Sequence, residues 1–504
     1  FGSAGASPWF TLCDCDWCTE TFPDEMMGPP NDVKIQLVIE HIGDVLEGLG
    51  KEMVARVFAH EPDENPWHAD GLARARATEF VSMHKSEVQD WQPYNPIDPT
   101  VGQVGAHPSI LEMDAAGEYF GRSELPFASP AYYRYRLKAA YDKTAIGAVA
   151  RISRGSDTAL GTPNEVNLEA IKWYVQDPTV TLDQVWSRFL TRRYFQGQNP
   201  EGNADATNLQ RILELTLPIM TKTHYVLGQW ALEKGSDIPT EPVTGELGGR
   251  GNMPKWDADW TEIWNRVKTP DYQTVYDIYN EGTEAVMLAE RAFYDFSQSE
   301  WNMTQGDFDS LYFQLRHQYF AARAWRAVET YIWARKSAVL FPVNAPLMFT
   351  WADWARLELS NVADEMEDAG LSDVRICSPS RIRAFLSNTL DAPDIEPSQP
   401  QDSWLRPLYF TEIGEKYVDI AFKSCLPGKY SIEYGTKLPN FNQAVEIVTA
   451  PDARPDCQDW GKIVGGLQAD TMYFFRLKVE DADGNTYRTS EYWAMTAQAA
   501  PQDN

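Results

Sequence analysis

The stretch that decides the fold runs from His84 to Gly121 and reads HKSEVQDWQPYNPIDPTVGQVGAHPSILEMDAAGEYFG. Two short apolar segments are predicted strands: one begins just before this stretch and the other lies inside it. An acid follows each of them, Asp90 after the first and Glu118 after the second. Each acid has an aromatic neighbour, Trp91 or Tyr119. Acids at the carboxyl ends of neighbouring parallel strands converge on one pocket in a barrel. Such a pair can deprotonate and orient a water molecule.

Around this stretch, short apolar runs alternate with amphipathic helical segments, which is typical of βα units. The predicted strands are Trp9–Cys13, Met53–Ala59, Glu79–Met83, Ile110–Met113 and Ala148–Ile152, and the predicted helices are Val33–Leu49, Gly71–Glu79 and Ala131–Lys143. A closed eight-stranded barrel needs about 250 residues. Residues 1–160 are therefore predicted to be the C-terminal part of a (β/α)8 TIM-type barrel. We expect the other strands to come from an upstream part of the protein or from a partner chain, since the chain starts at Phe1 and not at Met.

The rest of the chain divides by pattern into three parts. Residues 161–390 show helical periodicity, for example at Phe308, Leu311, Tyr312 and Leu315, and predict an α-helical domain. Residues 391–403 contain three prolines and read as a linker. Residues 404–504 alternate with period two and contain an Asp-Gly hairpin signal, which predicts a β-sandwich. The fold class is thus α/β, followed by helices and a C-terminal sandwich.

The charge balance excludes a general nucleic-acid binder. The chain of 504 residues has 73 acidic and 44 basic side chains, a formal charge of −29 and a pI near 4.6. Neutralising phosphates needs clustered Lys and Arg. No apolar run is long enough for a membrane span. The glycine-rich loop at residues 245–251 lacks the Lys-Ser/Thr ending of a phosphate loop, and we expect no cofactor.

The six cysteines suggest an oxidising compartment. Cys425 and Cys457 lie in the predicted sandwich and are candidates for a disulfide, which indicates a secreted, periplasmic or cell-surface protein. Cys13, Cys15 and Cys18 form a C-x-C-x-x-C cluster that could hold a metal with a fourth ligand or form one disulfide with a spare thiol. We expect no metal, because a structural zinc site normally has two cysteine pairs. A homo-oligomer remains an open alternative.

An ordered set of residues carries a family resemblance. It consists of Lys85, Asp90-Trp91-Gln92-Pro93, Pro96, Gly102, Pro108, Leu111-Glu112, Glu118-Tyr119-x-Gly121, residues 147–152 and Asn164-Glu165-Val166-Asn167. This set resembles the catalytic half of the glycoside hydrolase family 67 α-glucuronidases, over residues 9 to 190. The C-terminal part resembles fibronectin type III modules through Trp404 and the segment from Leu467 to Tyr473.

The family 67 resemblance implies a glycosidase that acts by inversion. Asp90 and Glu118 match the carboxylates that activate the attacking water, and Asp16, with Glu20 as the reserve, lies near the position of the general acid. Lys85 and Arg56 match cations that contact the substrate carboxylate or hydroxyls. Leu12 stands where the family has a second substrate-binding lysine, so specificity for glucuronic acid is not implied.

Further substrate contacts are expected from aromatic and basic residues beside the acids. Trp67 and Trp91 are candidates for stacking on a sugar ring, and Tyr119 and Arg122 lie next to Glu118 in sequence. Each also has an ordinary structural interpretation, since most Trp residues pack in a core and most Arg residues pair with nearby acids.

The sequence predicts a glycoside hydrolase acting on a polysaccharide or oligosaccharide that contains uronic acid. Two alternatives remain. A polysaccharide lyase would use Tyr119 with Lys85 to remove a proton next to a uronate carboxylate. A non-catalytic glycan-binding or surface-assembly protein would keep a degenerate barrel with no working acid.

Overall fold

The structure is a computed structural model. It describes residues 30–59, 61–75, 79–88, 93–154, 157–195, 203–229, 236–242, 253–391, 396–400, 407–450 and 457–499. Outside these ranges lie the predicted strand Trp9–Cys13, the glycine-rich loop and the predicted site residues Cys13, Cys15, Asp16, Cys18, Glu20, Asp90 and Trp91.

A parallel sheet of four strands forms the amino-terminal part. Its strand order is β1 (Met53–Val57), β2 (Phe80–Lys85), β3 (Ser109–Asp114) and β4 (Gly147–Arg151), and the accompanying helices are α1 (Asn31–Gly48), α2 (Glu64–Arg74), α3 (Pro130–Tyr141) and α4 (Glu165–Gln176). Strands that are neighbours in the sheet are also consecutive in the chain. Barrels have this strand order, whereas in a doubly wound sheet the strand order changes direction at one point in the sheet. The described strands form an open sheet, and a closed barrel is not shown.

The helix predicted at Gly71–Glu79 lies earlier, as α2 at Glu64–Arg74. Pro66 falls in the first turn of α2, where proline is tolerated. Gly71 lies inside the helix because α1 approaches closely there: a Cβ at Gly71 would lie 2.7 Å from the Cβ of Ile35. The glycine marks a helix contact and not a helix start.

The two faces of the sheet differ. Ala55, Val57, Leu111 and Met113 are buried against the helices. The opposite face is partly open, and Val149 on it is 43% exposed. We call this second face the inner face, since it would line the interior of a barrel.

Helices dominate from residue 165 to residue 387. After α4 they are α5 (Leu182–Arg193), α6 (Ala204–Glu214), α7 (Thr216–His224), α8 (Met253–Trp256), α9 (Thr261–Lys268), α10 (Tyr272–Gln298), α11 (Gln305–Leu340), α12 (Ala345–Asp368) and α13 (Pro379–Ser387). The periodic segment that begins at Phe308 lies in α11, a helix of 36 residues. Its buried Trp325 and Trp333 belong to the main hydrophobic core. In the described ranges no helix is long and apolar enough to cross a bilayer.

The C-terminal part consists of antiparallel strands in two main sheets. They are β7 (Tyr409–Ile413), β8 (Tyr417–Ser424), β9 (Gly428–Gly435), β10 (Gln443–Ala450), β11 (Gln458–Gly465), β12 (Met472–Glu480), β13 (Thr486–Arg488) and β14 (Tyr492–Met495). One sheet has the order β10-β9-β12-β13, with β14 also on β12, and the other has the order β11-β8-β7. A short hairpin, β5 (Ser153–Arg154) with β6 (Asp157–Thr158), follows β4. The predicted disulfide between Cys425 and Cys457 is confirmed. The backbone N–H of Gln468 donates to the Tyr473 hydroxyl at 3.0 Å and fixes the turn before β12.

A buried lysine joins the β-sheet module to the helices. The Lys222 ammonium, on α7, is fully buried and donates to the Glu491 carbonyl at 2.6 Å and to the Ser490 hydroxyl. It lies 3.6 Å from the Glu284 carboxylate of α10, which accepts from the Ser490 N–H and from the Tyr492 hydroxyl. We call this group the Lys222 junction. The buried ammonium thus has two hydrogen-bond acceptors and one anionic partner, which offset the cost of burying its charge.

The four-stranded parallel sheet reaches the same place through Tyr94, in the loop after β2. The Tyr94 hydroxyl donates to the Glu491 carboxylate at 2.5 Å, and its ring packs edge-on against Tyr225, Trp260 and Trp493. The sheet, the helices and the β module therefore meet at one point.

Removing the Lys222 ammonium should destabilise the protein strongly. We expect Lys222→Met to lower the free energy of unfolding by about 3–5 kcal/mol, because Glu284 then stays buried without its cation. The double variant Lys222→Met, Glu284→Gln should lose less than the sum of the two single variants. Urea denaturation of all three variants measures this.

The matched control is Lys255→Met, because Lys255 pairs with Glu61 at 2.8 Å on the surface. We expect a change below about 1 kcal/mol for this exposed pair. Equal losses for the two lysine variants would contradict the role of the Lys222 junction.

Candidate functional site

Charged side chains line the carboxyl ends of the four parallel strands. Arg56 lies in β1, Lys85 ends β2, Glu112 lies in β3 and Arg151 ends β4. Lys85 is the register partner of Glu112, and Glu112 is the register partner of Val149, two residues before Arg151. Since side chains two residues apart share a face, these groups all belong to the inner face.

These groups form a row of alternating charges with Glu118, from the loop after β3. Arg56 makes two hydrogen bonds to Glu112, with Nη2 to Oε1 at 3.0 Å. Arg151 donates to Glu118, and its Nη2 lies 3.8 Å from Oε1 of Glu112. The four side chains are 10% to 23% exposed, so solvent reaches the row. We call Arg56, Glu112, Arg151 and Glu118 the charge row.

Lys85 lies beside the row under an aromatic ring. The residue is 3% exposed, and its ammonium is 4.6 Å from the ring centroid of Phe58, the residue after β1. The Arg56 guanidinium lies 5.8 Å from the same ring. Both distances fit cation–π contacts. Phe58 therefore holds two cations close together at the strand ends.

The loop that carries Glu118 is fixed by the last residue of β3. The Asp114 carboxylate accepts from the N–H of Ala116 at 3.1 Å and from the N–H of Glu118. Burial raises the pKa of Asp114 to about 6, while the hydrogen bond from the Glu118 N–H acts in the opposite direction. Gly117 has φ +72°, and its carbonyl accepts from Arg122 N–H at 2.8 Å. A residue with φ > 0 is needed for this tight turn.

Gly121 closes the same loop. Its N–H donates to the Ser236 hydroxyl at 2.6 Å, and that hydroxyl donates to the Glu118 carbonyl at 3.2 Å. Gly121 has φ +80°, and a Cβ there would lie 2.4 Å from the Cβ of Leu125. Gly121 therefore lies so close to Leu125 that a residue with a Cβ does not fit there.

A further acid, Glu87, follows β2 but does not join the charge row. It is 1% exposed and accepts from the hydroxyls of Ser86 and Tyr132. Burial raises its pKa, and the nearby Arg136 opposes that rise. Arg136 also donates to the Asn95 carbonyl at 2.6 Å. Glu87 and Arg136 therefore anchor the loop after β2 to α3.

The structure brings together three of the predicted site residues, Arg56, Lys85 and Glu118. Tyr119 follows Glu118 and packs against the main core. Trp67 lies in the first half of α2 and packs against the small core under α1. Arg122 pairs with Asp157 at 2.9 Å. Trp67 therefore has the contacts of a core residue, and Arg122 is part of an ion pair.

The sequence reasoning missed Glu112 and Arg151 as site residues. Glu112 belongs to the set of residues that carries the family resemblance, and in the structure it contacts Arg56. The available signal was their position, because each lies at the carboxyl end of a predicted strand. Within the described part of the chain, no group of three or more His, Cys, Asp or Glu side chains is placed to hold a metal ion.

The charge row can bind an anion and hold a carboxylate next to it. Two guanidinium groups and one ammonium face one edge of the sheet, and Arg can bind a carboxylate through two parallel hydrogen bonds. Glu118 is the carboxylate whose backbone is anchored on both sides, by Asp114 and by Ser236. This combination suits an acidic ligand next to a group that takes a proton.

Comparison with known proteins gives only distant likenesses. No protein-family model matches the chain, and no curated protein matches it. A GH138 enzyme targeting pectin rhamnogalacturonan II is similar over 92% of this chain and 66% of its own, with 11% identity and a TM-score of 0.43. The FN5 domain of Drosophila Lar covers 19% of this chain and 96% of its own length, with 17% identity and a TM-score of 0.16. The third fibronectin III domain of human KIAA0343 protein covers 21% of this chain and 97% of its own length, with 11% identity and a TM-score of 0.15. Likeness at this level does not assign a fold or an activity.

The Gly121 turn should not accept a side chain. We expect Gly121→Ala to lower the free energy of unfolding by about 3 kcal/mol or more, because strain at positive φ adds to a clash with Leu125. The control is Gly161→Ala: Gly161 has φ +78° with nothing within 4 Å of the added Cβ. That control should lose only about 1–2 kcal/mol. Thermal and urea unfolding compare the two, and a loss in Gly121→Ala no larger than in the control would contradict the close packing.

Proposed function

We propose that this protein is a glycoside hydrolase that acts on a polysaccharide or oligosaccharide containing uronic acid. The charge row is the observation that carries the proposal. It offers cations for a sugar carboxylate and an anchored carboxylate, Glu118, at the carboxyl ends of parallel strands, where the active sites of barrel enzymes lie.

In the proposed reaction, Glu118 acts with Asp90 to deprotonate and orient the water that attacks the anomeric carbon. Asp16, or Glu20 in its place, protonates the leaving oxygen. Inversion requires about 6.5–9.5 Å between the acid and the base, so that water fits between them. The roles of Asp90, Asp16 and Glu20 rest on the resemblance to family 67 enzymes.

The proposed recognition of the uronate uses Arg56 and Lys85. Glu112 holds the Arg56 guanidinium by two hydrogen bonds, so the group is oriented before a ligand arrives. A preorganised cation loses less entropy when it binds. Tyr119, Arg122, Trp67 and Trp91 remain proposed substrate contacts that variants can test.

Glu118→Gln should slow hydrolysis strongly while the fold remains. We expect the turnover rate to fall by about 10²–10⁴, since glutamine cannot take a proton from water. The measurement is release of reducing ends from oligosaccharides with a terminal uronic acid, with the anomer of the product resolved by NMR. Glu169→Gln is the control, because Glu169 also pairs with an arginine, Arg192 at 2.8 Å, but on α4.

Three results would contradict the hydrolase proposal. Full activity in Glu118→Gln removes the proposed base. Products with a new ultraviolet absorbance carry an unsaturated bond and select the lyase alternative. Saccharide binding without any turnover selects a non-catalytic glycan-binding protein.

We also propose that further βα units, from the same protein or a partner chain, complete a barrel around the inner face. The support is the strand order of β1 to β4 and the exposure of Val149, which lies on the inner face of the edge strand β4 and is 43% exposed. The disulfide between Cys425 and Cys457 supports a secreted, periplasmic or cell-surface location.

If the inner face is open in the chain of 504 residues, this chain should bind the apolar dye ANS there. We expect Val149→Asp to lower dye fluorescence, because it places a charge on the exposed apolar surface. Val343→Asp is the control, since Val343 is 87% exposed on a surface turn after α11. An equal effect of both variants would show that the inner face is already covered.

A further inference from the structure

A second concave site lies between the helices and the β module. It is a cavity of about 590 Å³ at the start of α3, lined also by α5, α6, α10, β7 and β14. Pockets of about 300–1,000 Å³ are typical for small ligands. None of the charge-row residues lines it. This cavity, which we call the junction cavity, is therefore separate from the proposed catalytic edge.

In the part of the chain that the structure describes, two buried polar groups that line the junction cavity have no hydrogen-bond partner. Ser129 is the N-cap residue of α3, yet its hydroxyl makes no capping bond. The Ser129 residue is 3% exposed and Trp493 is 8% exposed. Within the described ranges, neither the Ser129 hydroxyl nor the Trp493 indole N–H has a hydrogen-bond partner. Buried polar groups are nearly always hydrogen-bonded, so two orphans in one cavity point to an external acceptor.

The wall that presents Ser129 is held rigidly. The backbone N–H groups of residues 127–129 donate in turn to Asn164 at 2.6 Å, Thr216 at 2.8 Å and Asn167 at 2.8 Å. All three side chains are fully buried. The Ser129 hydroxyl is thus preorganised, although it serves no bond of the fold itself.

The start of a helix, two arginines and an aromatic ring also border the cavity. The 12-residue helix α3 begins there, and the amino end of a helix attracts anions. Arg211 and Arg291 line the cavity, and the Arg291 guanidinium lies 4.0 Å from the ring centroid of Tyr409. Residues that carry hydrogen-bond donors therefore line the cavity from several elements.

Acceptors for hydroxyl groups lie in the same cavity. Glu214 lines it and accepts from Gln210 at 2.9 Å. Asp295 also lines the cavity, where it accepts a hydrogen bond from Arg291 at 3.3 Å. A ligand with both a carboxylate and several hydroxyls would satisfy both groups of residues.

We infer that the junction cavity binds a carboxylated sugar residue, with the carboxylate at Ser129 and the amino end of α3 and with the hydroxyls toward Glu214 and Asp295. The site would hold a saccharide without cleaving it. This binding does not depend on the hydrolase proposal, since it uses none of the residues of the charge row.

Calorimetric titration of the whole chain tests the inference, with D-glucuronate, D-glucose and acetate as probes. We expect glucuronate to bind saturably, and glucose and acetate to bind at least tenfold more weakly. Ser129→Ala should weaken glucuronate binding about tenfold, the loss of one hydrogen bond to a charged group. Trp493→Phe should weaken it in the same direction, because it removes the indole N–H and keeps a ring.

Ser337→Ala is the matched control, because the Ser337 hydroxyl in α11 is also buried and without a partner in the described part of the chain, but it does not line the cavity. It should leave affinity unchanged. Arg56→Ala separates the two sites: it removes binding at the charge row and leaves binding at the junction cavity.

Unchanged affinity in both Ser129→Ala and Trp493→Phe would overturn the inference. If glucose binds as tightly as glucuronate, the proposed carboxylate contact is wrong. If acetate binds as tightly as glucuronate, the proposed contacts to the sugar hydroxyls are wrong. Loss of all binding in Arg56→Ala, with none lost in Ser129→Ala, would assign the ligand to the charge row alone.

Discussion

The architecture depends on one buried ammonium group, that of Lys222. A charge in a dry interior is tolerated only if every side of it is hydrogen-bonded or paired. Here the partners come from α10 and from the segment before β14, and Tyr94 brings the parallel sheet to the same segment through Glu491. The three parts must therefore dock correctly for the charge to be stable. This requirement fixes the β module against the helices, and the junction cavity lies between the same elements.

The sequence predicted the features that depend on local pattern. The apolar runs gave four of the described strands within a few residues, and the one-sided stripe of Val33–Leu49 gave α1 at Asn31–Gly48. The disulfide between Cys425 and Cys457 followed from two cysteines in one predicted sandwich. Such features are predictable because helix and strand periodicities are properties of neighbouring residues.

The sequence could not predict the contacts that depend on strand register and domain docking. Arg56 contacts Glu112 only because β1, β2 and β3 pair in one particular register. A shift of one residue in this register would turn the side chain of Arg56 or of Glu112 toward the helices. The start of α2 was misplaced because Gly71 serves a helix contact that is distant in sequence. Lys222 and Glu284 gave no sequence signal, since each is an ordinary charged residue on a helix.

The position of β14 has a consequence for how this protein can evolve. Its first residue, Tyr492, bonds to Glu284 on α10, and the next, Trp493, packs against Tyr94 from the sheet region. Modules that are shuffled between genes as cassettes keep self-contained surfaces and flexible tethers. Losing this one would remove both hydrogen-bond acceptors of the Lys222 ammonium and expose an aromatic cluster, so its loss or replacement by recombination should be selected against.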